Sequence, residues 1–282
     1  RRNCDLSFSN LCSWRFLYDT QFAVIDDFLV FKFWAGEQLA YMMPVGNGDL
    51  KAVLRKLIED ADKEKHNFCM LGVCSNMRAD LEAILPERFI FTEDRAYADY
   101  IYLRSDLATL KGKKFQAKRN HINRFRNTYP DYEYTPITPD RIQECLDLEA
   151  EWCKVNNCDQ QEGTGNERRA LIYALHNFEA LGLTGGILHV NGKIVAFTFG
   201  MPINHETFGV HVEKADTSID GAYAMINYEF ANRIPEQYIY INREEDLAIE
   251  GLRKAKLSYQ PVTILEKYMA CLKDHPMDMV RW

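Results

Sequence analysis

The chain has 282 residues, 47% of them hydrophobic and 27% charged, with a formal net charge of −7 and a pI near 5.6. That balance is ordinary for a soluble globular protein and argues against general DNA coating, while leaving room for one local polyanion site. No apolar run approaches the ~18 residues needed to span a membrane, so a cytoplasmic protein is expected, with peripheral lipid contact left open. The length fits two domains of about 140 residues better than one.

The first half reads as strands, helix, strand, helix, strands. Residues 22–25, 28–34 and 38–43 carry strand patterning, with turns at Asp26-Asp27 and Ala35-Gly36-Glu37. Asp49 is a reasonable N-cap for a helix over residues 50–65, with Val53, Leu54, Leu57, Ile58 and Ala61 as its apolar face. Residues 68–73 return as a strand, 77–85 as a helix, and 89–91 and 97–103 as strands. The eight cysteines stand at 4, 12, 69, 74, 145, 153, 158 and 271. None forms CxxC, and the C-x4-C pairs lack histidines at zinc-like spacing, so no metal site and only scattered reduced thiols are expected.

Arg104 to Arg126 is an electrostatic landmark. It holds eight Lys or Arg and one acid, Asp106, so its net charge is +7 and the rest of the chain sums to −14. It reads as a helix from Ser105, interrupted at Gly112 and closed by Tyr129-Pro130. Phe115, Ile122, Phe125 and Tyr129 form one apolar stripe; Lys118 falls inside it, and Lys114 and His121 flank it. Two readings stand. Either this is a solvated basic helix with a snorkelling Lys118, or Lys114, Lys118 and His121, with Arg119 beside them, meet a phosphate or carboxylate next to the core.

The second half repeats the plan. Helices over residues 141–156 and 167–181 precede strands 183–190 and 193–201, joined by Asn191-Gly192, the strongest short hairpin signal. A strand over 205–212, a helix over 221–233, a strand over 238–241, a short helix over 249–256 and a strand over 262–268 follow. Domains of 1–130 and 131–282 are expected, with the basic helix at their junction. His211, between Val210 and Val212, reads as a core or edge histidine.

The runs GKKFQAKRNHINRF (112–125) and REEDLAIEGLRKAKLSYQP (243–261) resemble the family built on the C-terminal domain of phosphatidylglycerol lysyltransferase. The resemblance covers nearly the whole chain. It implies an α+β fold of two tandem GNAT-like domains, mixed sheets flanked by helices, and kinship with enzymes that move amino acids from aminoacyl-tRNA. It further implies that the strand ending near Val212 splays from its neighbour and that the next helix starts at a loop able to bind a pyrophosphate. Val212, Ser218, Gly221 and Ala222 are then the candidate contacts to coenzyme A. Against this, loop 213–222 carries three acids and few small residues, and a plain connection capped by Ser218 or Asp220 is the other reading.

Residues 244–256 are acidic at the start and basic at the end, which suits a helix macrodipole. The functional alternative has the acids holding an ammonium while Arg253, Lys254 and Lys256 hold an anion. Asp246 and Glu213 are candidate proton acceptors. Tyr259 matches the place of a general acid in some GNAT enzymes, or else is a core tyrosine. No motif of a serine hydrolase, nucleotide hydrolase or zinc protease is present. The expected function is acyl or aminoacyl transfer from a phosphate-bearing donor, aminoacyl-tRNA or acyl-CoA, with a small anionic ligand or a tRNA acceptor end as partner. A non-catalytic protein binding RNA or another anion is the alternative.

Overall fold

The computed structural model describes residues 2–156 and 162–273; Cys158, one of the expected thiols, lies outside them. In chain order the elements are α1 (Phe8–Ser13), α2 (Arg15–Tyr18), β1 (Gln21–Ile25), β2 (Phe28–Ala35), β3 (Gln38–Tyr41), β4 (Val45–Gly46), α3 (Leu50–Lys63), β5 (Cys69–Cys74), α4 (Ser75–Ile84), β6 (Phe89–Glu93) and β7 (Asp99–Leu103). Then come α5 (Arg104–Thr109), α6 (Gln116–Thr128), β8 (Glu133–Pro136), α7 (Ile142–Asn156), α8 (Glu162–His176), β9 (Thr184–Val190), β10 (Lys193–Pro202) and β11 (Thr207–Ala215). The chain closes with α9 (Ala222–Arg233), β12 (Tyr240–Asn242), α10 (Glu250–Leu257), β13 (Thr263–Leu265) and β14 (Lys267–Leu272).

Two compact units form, and they do not divide at residue 130. One gathers residues 14–98 with the described residues from Leu265 onward; the other gathers residues 2–13 with 99–264. The reason is the placement of two strands. The first unit's sheet runs β1-β2-β3-β5-β14-β6, with β4 on β2, and the second unit's runs β13-β7-β12-β11-β10-β9-β8. Each sheet is a meander that meets a parallel pair, β3 with β5 and β11 with β12. The strand beyond that pair is antiparallel and comes from far away in sequence: β14 beside β5, β7 beside β12. The expected last strand over 262–268 is thus split between the two sheets. These are mixed sheets flanked by helices, the α+β class expected.

In the first unit, the Asp49 side chain caps α3 by accepting from Ala52 N, and Val53, Leu54, Leu57, Ile58 and Ala61 are buried as the pattern required. Cys69 of β5 and Cys271 of β14 are cross-strand partners and form a disulfide. This corrects the expectation of reduced thiols throughout: spacing along the chain carries no sign of two cysteines 202 residues apart meeting across a sheet.

In the second unit, Asn191 and Gly192 both take positive φ, 51° and 73°, and Val190 pairs with Lys193, the tight hairpin foreseen. The basic segment breaks where expected. α5 ends at Leu110, which is left-handed with φ 48°, and α6 starts after Gly112; α5 itself begins at Arg104 rather than being capped by Ser105. Phe115, Ile122 and Phe125 are buried in one core with Met225, Ile226 and Phe230 of α9 and Phe208 and Val210 of β11. Each such side chain contributes about 1.5–3 kcal/mol when removed from water. The basic helix is therefore an integral wall of this unit.

Candidate functional site

β11 and β12 are parallel for only three residue pairs, Thr207 with Tyr240, Phe208 with Ile241 and Gly209 with Asn242. β12 then ends, while β11 continues to Ala215 along β10. At the parting point β11 carries a bulge: Val212 opposes Phe199 and Val210 opposes Gly200, so His211 is the extra residue. The bulge resets the alternation. Phe208 and Val210 before it, and Ala215 after it, reach one core, so Glu213 also faces α9. Gly200 permits this geometry, because a Cβ there would sit 1.8 Å from the Gly209 carbonyl oxygen.

Into the opening between β11 and the segment after β12 converge six side chains. Arg243 donates from Nη2 to Glu213 Oε1 at 2.9 Å, and Asn227 of α9 donates from Nδ2 to Glu213 Oε2 at 3.2 Å. The Glu213 and Arg243 side chains are 13% and 12% exposed. Two cations approach the Tyr259 ring: Lys118 Nζ lies 4.0 Å from its centroid and the Arg243 guanidinium carbon 5.0 Å. Tyr102 of β7 completes the floor, 5.7 Å from Arg243.

The electrostatics follow from burial. Burial opposes the Arg243 charge, but the Glu213 carboxylate leads the causes that outweigh it, and its pKa is raised. Among the described residues Lys118 has no such partner at hydrogen-bond distance; burial and then Arg243 lower its pKa, with Glu213 only partly opposing. Burial pushes the Tyr259 hydroxyl up to about 12, so it is neutral and protonated near pH 7. Two atoms here are buried without a hydrogen-bond partner among the described residues, Arg243 Nη1 and Asn227 Oδ1. A buried donor and a buried acceptor gain from any polar partner that reaches them, a water or a ligand group alike.

Of the expected residues, Lys118, Glu213 and Tyr259 are therefore brought together, and the others are not. Lys114 pairs with Asp106 at 2.8 Å, and His121 is exposed. Arg119 donates to the carbonyls of Leu110 and Gly112, the latter at 2.6 Å, and closes the break between α5 and α6. The expected anion site of Lys114, Lys118 and His121 thus reduces to Lys118.

Asp246 and Arg253 correct a second expectation. Asp246 is fully buried and accepts from Arg253 Nε and Nη2, both at 2.8 Å, from the Tyr100 hydroxyl at 2.6 Å and from Ala248 N. The Arg253 guanidinium leads the causes that hold its carboxyl far below the usual range, opposed by burial. Asp246, fully buried among Arg253, Tyr100 and Ala248 N, and the Arg253 guanidinium are thus engaged in tying down their own loop. Lys256, one turn on, is also buried and donates to the carbonyls of Arg243, at 2.6 Å, and Glu245. Burial and the neighbouring Arg243 lower its pKa, opposed by Glu244, Glu245 and Asp99. Arg253 and Lys256 do share a helix face, and that face grips the loop carrying Arg243. The loop needs gripping: Glu244, Leu247 and Ala248 all have positive φ, a strained backbone for residues other than glycine. Lys254 is exposed.

The coenzyme candidates are also differently employed. The Val212 carbonyl accepts from the Thr198 hydroxyl at 2.8 Å. Ser218 N donates to Asp216 Oδ1 and Ala222 N to the Ile219 carbonyl. Neither Ser218 nor Asp220 caps α9; Gly221 does, at φ 84° and without a side-chain bond. Asp220 instead pairs with Arg124 at 2.9 Å. The His211 side chain is buried, with Nδ1 2.7 Å from Glu244 Oε1, in keeping with the core or edge reading.

The sequence reading missed Arg243, Asn227, Tyr100 and Tyr102. Arg243 heads the second quoted run but was grouped with no partner. Asn227 offered a usable signal, as a polar residue among Met225, Ile226 and Phe230 on a helix face that packs inward.

A family model described as phosphatidylglycerol lysyltransferase, C-terminal, matches residues 1–271. An uncharacterised protein of Mycoplasmoides gallisepticum is 25% identical over 177 residues, 61% of this chain and 55% of that protein, so the match spans about half of that relative. Among solved structures, a C-terminal domain assigned to a lysylphosphatidylglycerol synthetase of Agrobacterium fabrum superposes with TM-score 0.70 at 13% identity, covering 93% of this chain and 86% of that one. The structure of L-PGS from Bacillus licheniformis gives 0.65 at 18% identity, covering 95% and 88%. FemX gives 0.62 at 8% identity, covering 91% and 89%. At these identities the structural likenesses are likenesses of fold. No helix among the described residues is long and apolar enough to cross a membrane. With the family model spanning all but the end of the sequence, the chain belongs to the phosphatidylglycerol lysyltransferase C-terminal family.

Proposed function

We propose that this protein is an aminoacyl- or acyltransferase whose reacting group enters the opening between β11 and β12. The observation that carries the reading is the convergence of Glu213, Arg243, Lys118 and Tyr259 where those strands part. Attack of an acceptor amine or hydroxyl on the donor's carbonyl carbon needs alignment, a proton acceptor and stabilisation of the developing oxyanion. Lys118 is the cation suited to the oxyanion. Glu213, already fixed by Arg243 and Asn227, accepts the proton released by the nucleophile and returns it to the departing oxygen or sulfur as the donor bond breaks. No covalent enzyme intermediate is required.

Aminoacyl-tRNA is the donor we favour. The family supports it, and the loop before α9 uses the amides of Ser218, Ile219 and Ala222 in its own hydrogen bonds, which leaves less for a coenzyme pyrophosphate. The test is donor consumption. Purified protein is given a mixed pool of radiolabelled aminoacyl-tRNA, or acetyl-CoA, with a crude small-molecule and lipid extract as acceptor. We expect acceptor-dependent loss of label from tRNA that disappears in Arg243→Gln and falls strongly in Lys118→Met. If neither donor is consumed while tRNA still binds, the protein is a binding module and the transferase reading is wrong.

A further inference from the structure

The sign of the charge in this opening bears on which group it admits. Two cations, Lys118 and Arg243, approach one ring, at 4.0 and 5.0 Å from its centroid, so they lie within about 9 Å of each other. A single carboxylate, Glu213, faces them, and it already accepts from Arg243 Nη2 and Asn227 Nδ2. Lys256 adds positive charge on the Arg243 side, where Glu244, Glu245 and Asp99 offset it. The opening itself is therefore net positive. It also presents one unpaired buried donor, Arg243 Nη1, and one unpaired buried acceptor, Asn227 Oδ1, on a residue only 5% exposed.

Resting on the transferase reading above, we infer that the opening selects an acidic aminoacyl group, with a side-chain carboxylate and a free α-ammonium, over a lysyl group. The carboxylate meets Arg243 Nη1, and the charge of Lys118 at the same ring reinforces that attraction. The ammonium meets Asn227 Oδ1 beside Glu213. A lysyl side chain in the same place sets a third cation against Lys118 and Arg243, and like charges in a buried site discriminate as strongly as attraction does. Burial first, and the like charge of Arg243 second, lower the Lys118 pKa, and Glu213 opposes them.

The test uses α-amides, which keep the α-ammonium and the neutral carbonyl of an ester-linked aminoacyl end. The full chain is titrated calorimetrically with isoglutamine, isoasparagine, leucinamide and lysinamide. We expect the two acidic amides to bind at least about tenfold more tightly than lysinamide, the scale of one close opposite charge against one like charge, with leucinamide between. Arg243→Gln and, independently, Lys118→Met should each erase most of that preference while circular dichroism stays native. Lys118 is half-buried on a helix surface, so its variant serves if the Arg243 variant does not fold. Lysinamide binding as tightly as isoglutamine, or a preference that survives Lys118→Met, overturns the charge selection alone. Failure of every amide to bind the folded wild type overturns the aminoacyl-transfer reading as well.

Discussion

Glu213→Gln is the most informative single change. It keeps the shape of the side chain and removes the charge that balances Arg243. The two side chains are 13% and 12% exposed, so most of the desolvation of Arg243 persists after its partner is gone. Removing one member of a buried pair typically costs 3–5 kcal/mol; with this residual exposure, about 2–4 kcal/mol is the appropriate range. For a unit of this size 1 kcal/mol shifts the melting temperature by roughly 2–4 °C, so a fall of about 4–16 °C is expected by calorimetry. The pairing itself is measured by adding Arg243→Met, which removes the stranded charge. The double variant should be less destabilised than the two single effects combined, by at least about 1.5 kcal/mol of coupling. Independent, additive losses in that cycle would refute the claim that Arg243 is held in place by Glu213, and with it the assembly of the site.

Gly200→Ala forces a methyl group into the Gly209 backbone at the β-bulge; overpacking against backbone costs roughly 1–3 kcal/mol or more, and an unchanged melting curve would contradict the register given to His211. Lys118 has a lowered pKa in the folded state, so its charge opposes folding below that pKa and the penalty fades as pH rises from there toward the unfolded value of 10.5. Lys118→Met should accordingly be the more stable protein near pH 7, with an advantage that shrinks as the buffer is taken alkaline; constant stabilisation across that range would show that charge is not the cause. Cys69 and Cys271 should be recovered as one linked peptide pair after non-reducing digestion and mass spectrometry, and free alkylation of either thiol in the native protein argues against the bridge.

Local physics made much of this fold readable. The α3 stripe, its Asp49 cap and the Asn191-Gly192 hairpin depend on residues within one or two turns of each other, and the structure has each of them. The stripe of α6 was equally legible, and it placed Lys118 beside the core. What failed was every inference that needed to know a distant partner. Arg253 and Lys256 looked like ligand anchors because nothing nearby in sequence revealed a loop with three left-handed residues that must be tied down. Lys114 looked like part of an anion site because nothing in the sequence marked Asp106, eight residues back, as its partner. Glu213 and Tyr259 were named for their positions after a strand and a helix, but Arg243, which links them, becomes visible only when β11 and β12 are seen to part.

The placement of β14 has a consequence for how the protein is made. The sheet that β1 opens is completed only by β14, which must slot between β5 and β6 after nearly 200 residues beyond β5 have emerged. Until then β5 and β6 are two separated edges, each offering unpaired backbone groups to any other nascent chain. Such distant pairings are slow to form and prone to mispairing between molecules. A shortened chain ending near residue 264 would carry every residue of the proposed site, yet would leave that gap permanently open. Its tendency to aggregate would then reflect the absence of one strand, and would say nothing against the chemistry assigned to Glu213 and Arg243.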